Sequence, residues 1–241
     1  MDAAGPLSRT VEDSARVLGV IAGRDDGDPT TSRQPVPDYV AALRRDVRGL
    51  RLGVIAELTA SADPEVRAAV DAAGSLLAAL GATVDAASLP LLPMAGAVFM
   101  AVADAEGAGL HRPWLRDRAA QYDRGTRRRL LPAALLRAQM REALERHDVL
   151  LAPMAAPSAS GRAPITSRED AARRFFTRRS YGSPASLSGT PALSLPCGFT
   201  GSGLPIGLQL IGRAFDEATM LGVAHAYEQA TDWHRRRPLV A

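Results

Sequence analysis

The sequence contains no lysine; all 29 of its basic residues are arginines. These residues alone therefore cannot form a lysine Schiff base, a Walker-A phosphate loop or a lysine general base. A single cysteine, Cys197, excludes an internal disulfide framework and every multi-cysteine zinc motif. Aromatics make up only 5% of the chain. None of them interleaves with the arginine runs (Arg127 to Arg129, Arg173-Arg174, Arg178-Arg179, Arg235 to Arg237) in the way a single-strand nucleic-acid groove requires. With a formal net charge of only +3, those runs read as solvated surface, and no nucleic-acid partner is expected. No apolar run approaches the ~18 residues of a membrane helix, so no membrane partner is expected either. Met1 to Thr10 lacks the apolar core of a secretory signal, which makes the cytoplasm the expected compartment.

What is present is ordinary for a globular protein. The 241 residues, 46% of them apolar, suffice for a substantial core and exclude wholesale disorder. Thr10-Val-Glu-Asp13 resembles a capping box, and Val11, Ala15, Leu18 and Ile21 recur at helical spacing, predicting a helix from about Val11 to Ala22 with Gly23 as its stop. Gly27, Pro29, Pro35 and Pro37 mark a loop, and a short helix is expected around Asp38 to Arg45. Arg51 to Glu57 reads as a buried strand. Asp63-Pro64-Glu65 opens a helix whose apolar face runs through Val66, Val70, Ala73 and Leu77, and Ala82 to Leu89 reads as a second strand. Strand, helix, strand is a βαβ unit and predicts a parallel pair. Leu91 to Arg146 is mostly helical in pattern. Asp148 to Ala152 is a short apolar strand ending at Pro153, and Ser167 to Arg179 reads as a helix that buries Phe175 and Phe176. Leu193 to Phe199 and Ile206 to Ile211 predict a hairpin, and Asp216 caps a last helix reaching about Ala230. The fold class is α/β, a mixed central β-sheet flanked by helices, with no linker that marks a domain boundary.

Chemistry is sparse. His111, His147, His225 and His234 show no metal spacing and read as packed or surface histidines. There is no Gly-x-Ser-x-Gly elbow and no Gly-x-Gly-x-x-Gly after a strand. Cys197, between Pro196 and Gly198, has no base nearby in sequence and reads as a buried structural thiol. Tyr181-Gly-Ser-Pro-Ala-Ser-Leu-Ser-Gly-Thr-Pro191 is distinctive. Its small and hydroxylated residues suit either close approach to a ligand or a tightly packed loop.

Three ordered segments carry a resemblance. They are Gly5-Pro-Leu-Ser-Arg-Thr-Val-Glu-Asp13 with Ile21-Ala-Gly-Arg-Asp25 and Asp28-Pro29; Asp148-Val-Leu-Leu-Ala-Pro153; and Ser188-Gly-Thr-Pro-Ala-Leu-Ser-Leu-Pro-Cys-Gly-Phe199 followed by Gly203-Leu-Pro-Ile-Gly-Leu-Gln-Leu-Ile-Gly212 and Phe215-Asp-Glu217. Together they resemble the C-terminal portion of the amidase signature family, in that family's order, from Asp2 to about Tyr227. The resemblance implies residues 1–241 to be the C-terminal portion of a single amidase-signature domain, an incomplete copy of the fold. It also implies a cofactor-free hydrolase that cleaves carboxamide C–N bonds by serine acyl transfer, with a small-molecule amide as substrate once an N-terminal half completes it.

The family's nucleophilic serine, bridging serine and lysine lie upstream of the position matching Asp2, and nothing in this sequence can receive them. No catalytic residue is therefore assigned, and the chain alone is expected to be inactive. A late-assigned start or a truncated gene would each account for this. A non-catalytic ligand-binding module and a non-functional remnant are the alternatives. The resemblance offers Phe176, Arg179, Tyr181 and Ser186 as substrate-pocket candidates and no metal site. Three departures are visible. Met154 stands where the family usually has threonine. Arg179 stands where the glutamine-using branch has an acid, about seven residues before the Ser186 position, which argues against glutamine as ammonia donor. The stretch between Arg112 and His147 is also shorter than usual, which would reshape the pocket.

Overall fold

In a computed structural model the described residues are 4–28, 31–43, 46–95, 139–156, 167, 169, 181–186 and 188–236. Among the described residues five strands form one mixed sheet in the order β2-β1-β3-β5-β4. β1 (Arg51–Ile55) runs parallel to β2 (Thr83–Ala87) and to β3 (Val149–Pro153), as a βαβ unit requires. β4 (Ala192–Phe199) and β5 (Pro205–Gly212) form the expected antiparallel hairpin, and β5 continues antiparallel onto β3. The hairpin register shifts between Pro196 and Gly198, so the end of β4 carries a bulge.

The helices start where the capping residues place them. α1 (Val11–Ile21) is capped by Thr10, whose side chain accepts from the Asp13 N–H at 3.1 Å. β1 ends two residues earlier than its apolar run predicts, because Ala56 begins a short helix, α2 (Ala56–Ala60). α3 (Pro64–Ala79) starts with proline in its first turn, and Gly81 beyond it adopts φ 105°, the left-handed conformation that glycine accepts without strain. α4 (Glu217–Gln229) is capped by Asp216, whose carboxylate accepts from the Thr219 hydroxyl at 2.7 Å. The short helix expected around Asp38 is only a turn. The Asp38 carboxylate accepts from the Val40 and Ala41 N–H groups, and the chain leaves the helical path after that cap is made. The expected helices between Leu91 and Arg146 survive among the described residues as a 3-10 turn at Leu92–Met94 and a helical segment at 139–146. The helix predicted for Ser167 to Arg179 lies, apart from Ser167 and Glu169, outside the described residues.

Alternation along the strands divides the core in two. Leu52, Val149, Leu151, Leu195, Cys197, Leu208 and Leu210 face α3 and α4 on one side. Ile55, Ala87, Leu150, Ala152 and Ile211 face Leu58 of α2, segment 139–146 and Tyr181 on the other. β3 is buried at every position, which explains its unbroken apolar run. α4 is nearly enclosed and carries a buried acid, Glu228, whose carboxylate accepts from the Val11 N–H at 3.0 Å and so satisfies an otherwise orphaned donor at the start of α1. Among the described residues no helix is long and apolar enough to cross a membrane.

Candidate functional site

The segment singled out by its small and hydroxylated residues opens with a short helical stretch, 181–186. Tyr181 anchors it. Its ring is 3% exposed, and its hydroxyl lies 2.6 Å from the Ser61 hydroxyl and donates to the Leu58 carbonyl at 3.0 Å. Burial raises the phenol above its ordinary value, against the Ser61 hydrogen bond, which pulls it down. Tyr181 is thus a buried brace between this stretch and α2. Ser186, five positions on, is exposed and lies on a different helix face. Gly182 shares that face with Ser186. A Cβ on Gly182 would stand 3.7 Å from Met154 Cε, so Met154 lies against this side of the helical stretch. Phe176 and Arg179 lie outside the described residues.

Met154 connects the stretch to the sheet. Its N–H donates to the Gly207 carbonyl at 2.9 Å, extending the β3–β5 ladder by one step. A Cβ on Gly207 would meet Met154 Cβ at 3.0 Å and Ser194 Oγ at 3.2 Å, so only glycine fits there without displacing a neighbour. Residues paired across strands share a face, as do residues two apart along a strand. The register pairs Ala152 with Gln209 and Gln209 with Ser194; Pro196 pairs with Gly207 one step along. Ala152, Gln209 and Ser194 thus form one row across the sheet, and Met154, Gly207 and Pro196 form the next. Burial falls along the first row, from an enclosed Ala152 through a 4% exposed Gln209 to an exposed Ser194.

Gln209 is the unusual member. Its Oε1 is buried and has no hydrogen-bond partner. Leaving a buried acceptor unpaired costs about 1–3 kcal/mol, so its persistence in an apolar strand calls for a reason. The face as a whole offers an amide, hydroxyls and bare backbone, and its two rows contain no acid, base or thiol. It can hold a neutral polar group. It cannot activate a nucleophile.

Other features are structural. Cys197 is buried on the opposite face, and burial pushes its thiol up to about 12, so it holds no thiolate near neutrality. His147 is 5% exposed, with Nδ1 2.8 Å from the Ala143 carbonyl and Nε2 2.5 Å from Asp85 Oδ1. Both ring nitrogens are occupied in joining segment 139–146 to β2. No group of three histidine, cysteine, aspartate or glutamate side chains among the described residues could hold a metal ion. An open groove of about 630 Å³ lies between α3 and β2, lined by Val54, Arg67, Asp71 and Val84 among others, and neither Tyr181 nor Ser186 borders it. Gln209 is the residue that sequence reasoning passed over. The available signal was a lone amide inside Leu208-Gln-Leu-Ile211, a polar residue in an otherwise apolar strand.

The sequence profile described as Amidase matches residues 1–127 and 115–221, in two overlapping pieces that meet near the stretch expected to be short. The A subunit of the glutamyl-tRNA(Gln) amidotransferase of Roseiflexus sp. (strain RS-1) is 39% identical over 277 aligned positions, covering 99% of this chain and 56% of that protein. The alignment is longer than the chain itself, so the relative carries residues within the matched span that this chain lacks. The corresponding protein of Brevibacillus brevis is 35% identical, with 99% and 56% covered. The chain thus spans a little over half the length of the curated relatives it matches. Among solved structures, the A subunit of the Thermotoga maritima glutamyl-tRNA(Gln) amidotransferase superposes with a TM-score of 0.80 at 26% identity, over 94% of this chain and 52% of that one. The native peptide amidase of Stenotrophomonas maltophilia superposes with a TM-score of 0.68 at 27% identity, over 98% and 54%. The sheet order, the hairpin and the motif order therefore have one common explanation: the chain belongs to the amidase family.

Proposed function

We propose that residues 1–241 form the C-terminal portion of a single amidase-signature domain and supply one wall of a carboxamide-hydrolysing site, with the nucleophile and its base contributed by residues outside this sequence. The observation that carries this reading is the face formed by Met154, Gly207, Gln209, Ser194 and Ser186, which is polar and side-chain-poor and has no base. A wall of that kind binds and orients a substrate, while acyl transfer needs an activated nucleophile and an oxyanion hole from elsewhere. Phe176, Arg179, Tyr181 and Ser186 are the pocket candidates, with Tyr181 acting through its brace to α2.

The substrate in this reading is a small neutral or anionic carboxamide, the protein is cytoplasmic, and the chemistry uses no cofactor. The relatives named as amidotransferase subunits support a multi-chain assembly, while Arg179 at the acid's position argues against glutamine as the ammonia source.

The test compares the 241-residue chain alone with the chain co-expressed with the part of the Roseiflexus relative that lies outside the match. Hydrolysis of simple carboxamides is expected only from the pair, and a serine-reactive inhibitor should abolish it. Serine-dependent turnover by the chain alone would overturn the assignment of the nucleophile. Carboxamide binding without turnover by the pair would favour the non-catalytic binding module.

A further inference from the structure

The geometry points to Gln209 as the acceptor for the N–H of a bound carboxamide, which makes it the residue that distinguishes an amide from the corresponding ester. This rests on the reading of the face as a carboxamide wall. Four observations carry it. The Gln209 Oε1 is buried without a partner, so the protein keeps an oriented acceptor there with nothing of its own to satisfy it. The Gln209 side chain shares its sheet face with Ser194, its paired neighbour on β4, and with Gly207 two residues along β5. A Cβ on Gly207 would meet Met154 Cβ at 3.0 Å and Ser194 Oγ at 3.2 Å, so those two side chains close over the glycine and place the Ser194 hydroxyl beside the amide's row. Finally, neither row of that face carries a charged group that would favour an ionic ligand over a neutral one.

An amide N–H and an ester oxygen are nearly isosteric but opposite in hydrogen-bonding sense. An N–H donates to Oε1, whereas an ester oxygen places lone pair against lone pair. A site built around an unpaired acceptor discriminates strongly against the analogue that cannot donate. The flexible alternative, a glutamine that turns its NH₂ to the ligand, would give the reverse preference, so the sign of the discrimination is itself informative.

The test uses two near-isosteric probes, N-methylbenzamide and methyl benzoate, with the full 241-residue chain at micromolar concentration. Binding is read by ligand-observed saturation-transfer NMR, which tolerates self-association of the protein. N-methylbenzamide is expected to bind at least about tenfold more tightly than methyl benzoate. Gln209→Met keeps the length of the side chain and removes the acceptor, and should collapse the difference; Gln229→Met, at an exposed position on α4, should leave it intact. The probe comparison on the unsubstituted chain stands even if Gln209→Met folds poorly. Equal binding of the two probes, or a preference for the amide that survives Gln209→Met, overturns the role of Gln209 and leaves the wall in place. Failure of both probes to bind overturns the wall as well.

Discussion

Gly53→Ala is a small change with a large expected effect. Gly53 lies in β1 directly opposite Asp85 of β2, and His147 crosses over it to bring Nε2 to the Asp85 carboxylate. A Cβ at Gly53 would stand 2.8 Å from His147 Cγ and 2.9 Å from both His147 Cδ2 and Ala87 Cβ, well inside ordinary contact. None of these atoms can yield freely. Ala87 is fixed in the parallel ladder, and the imidazole is held at both nitrogens. Relief requires either parting β1 from β2 or swinging the ring off Asp85.

Overpacking of this kind costs about 1–3 kcal/mol. Losing the Nε2 contact adds about 0.5–1.5 kcal/mol. Replacing glycine by alanine returns about 0.4–1 kcal/mol by restricting the unfolded chain. The expected net loss is about 0.5–4 kcal/mol, or roughly 1–16 °C in Tm for a chain of this size. Urea denaturation and differential scanning calorimetry measure it. The double variant Gly53→Ala/His147→Ala should show a coupling of more than about 0.5 kcal/mol, because removing the ring vacates most of the space the methyl needs. A Gly53→Ala chain within about 0.5 kcal/mol of the parent, or strictly additive single effects, would refute the argument that the ring occupies the glycine's space.

Stability should fall on the alkaline side. Burial pushes Cys197 from 9.0 up to about 12, and burial together with the neighbouring Cys197 pushes Tyr227 from 10.0 up to about 12. Raised folded-state values stabilise fully below the unfolded values, and that contribution is lost as pH climbs from about 9 towards 12. Urea midpoints measured from pH 8 to 12 should decline, and Cys197→Ala should flatten the decline between pH 8 and 9, where unfolded tyrosine has barely begun to titrate; a flat parent profile would contradict the burial of both groups. In a completed enzyme, Arg179 should favour neutral and anionic carboxamides over cationic ones in kcat/KM, and a cationic preference unchanged in Arg179→Ala would remove it from the pocket. The isolated chain should self-associate through β4, one of the two edge strands among the described residues, where Ala192 and Ser194 are exposed on the edge; light scattering showing a monodisperse monomer would count against that.

Local signals located the elements, and long-range register assembled the site. Thr10, Pro64 and Asp216 mark helix starts by chemistry confined to one turn, so those boundaries were legible to within a residue or two. β3 was legible because burial on both faces leaves no polar residue in Val149–Pro153. The turn at Asp38 was misread as a helix because the same side-chain cap that starts a helix also closes a turn, and only the residues beyond the cap decide between them. Leu208-Gln-Leu-Ile211 looks in sequence like an exposed aggregation hazard, yet β5 lies between β3 and β4 and the window is buried throughout. The edge falls instead to β4, the other strand of the hairpin, where Ala192 and Ser194 are exposed.

The face at Gln209 illustrates the same limit. The motif containing Gln209 was visible, but its meaning depends on which residues stand opposite it. The pairing of Gln209 with Ala152 and Ser194 spans 57 positions in one direction and 15 in the other, a register that no local pattern specifies. Tyr181 shows the converse. Proximity in sequence grouped it with Ser186 as pocket lining, but helical rotation over five residues sends the phenol to Ser61 and Leu58 and leaves the serine hydroxyl on the open side. In the proposed reading family resemblance suggests a wall of the site, and strand register and helix phase decide which of its side chains could touch a substrate. On that basis Gln209, buried and unpaired, has more to contribute to recognition than Tyr181, buried with its hydroxyl already engaged.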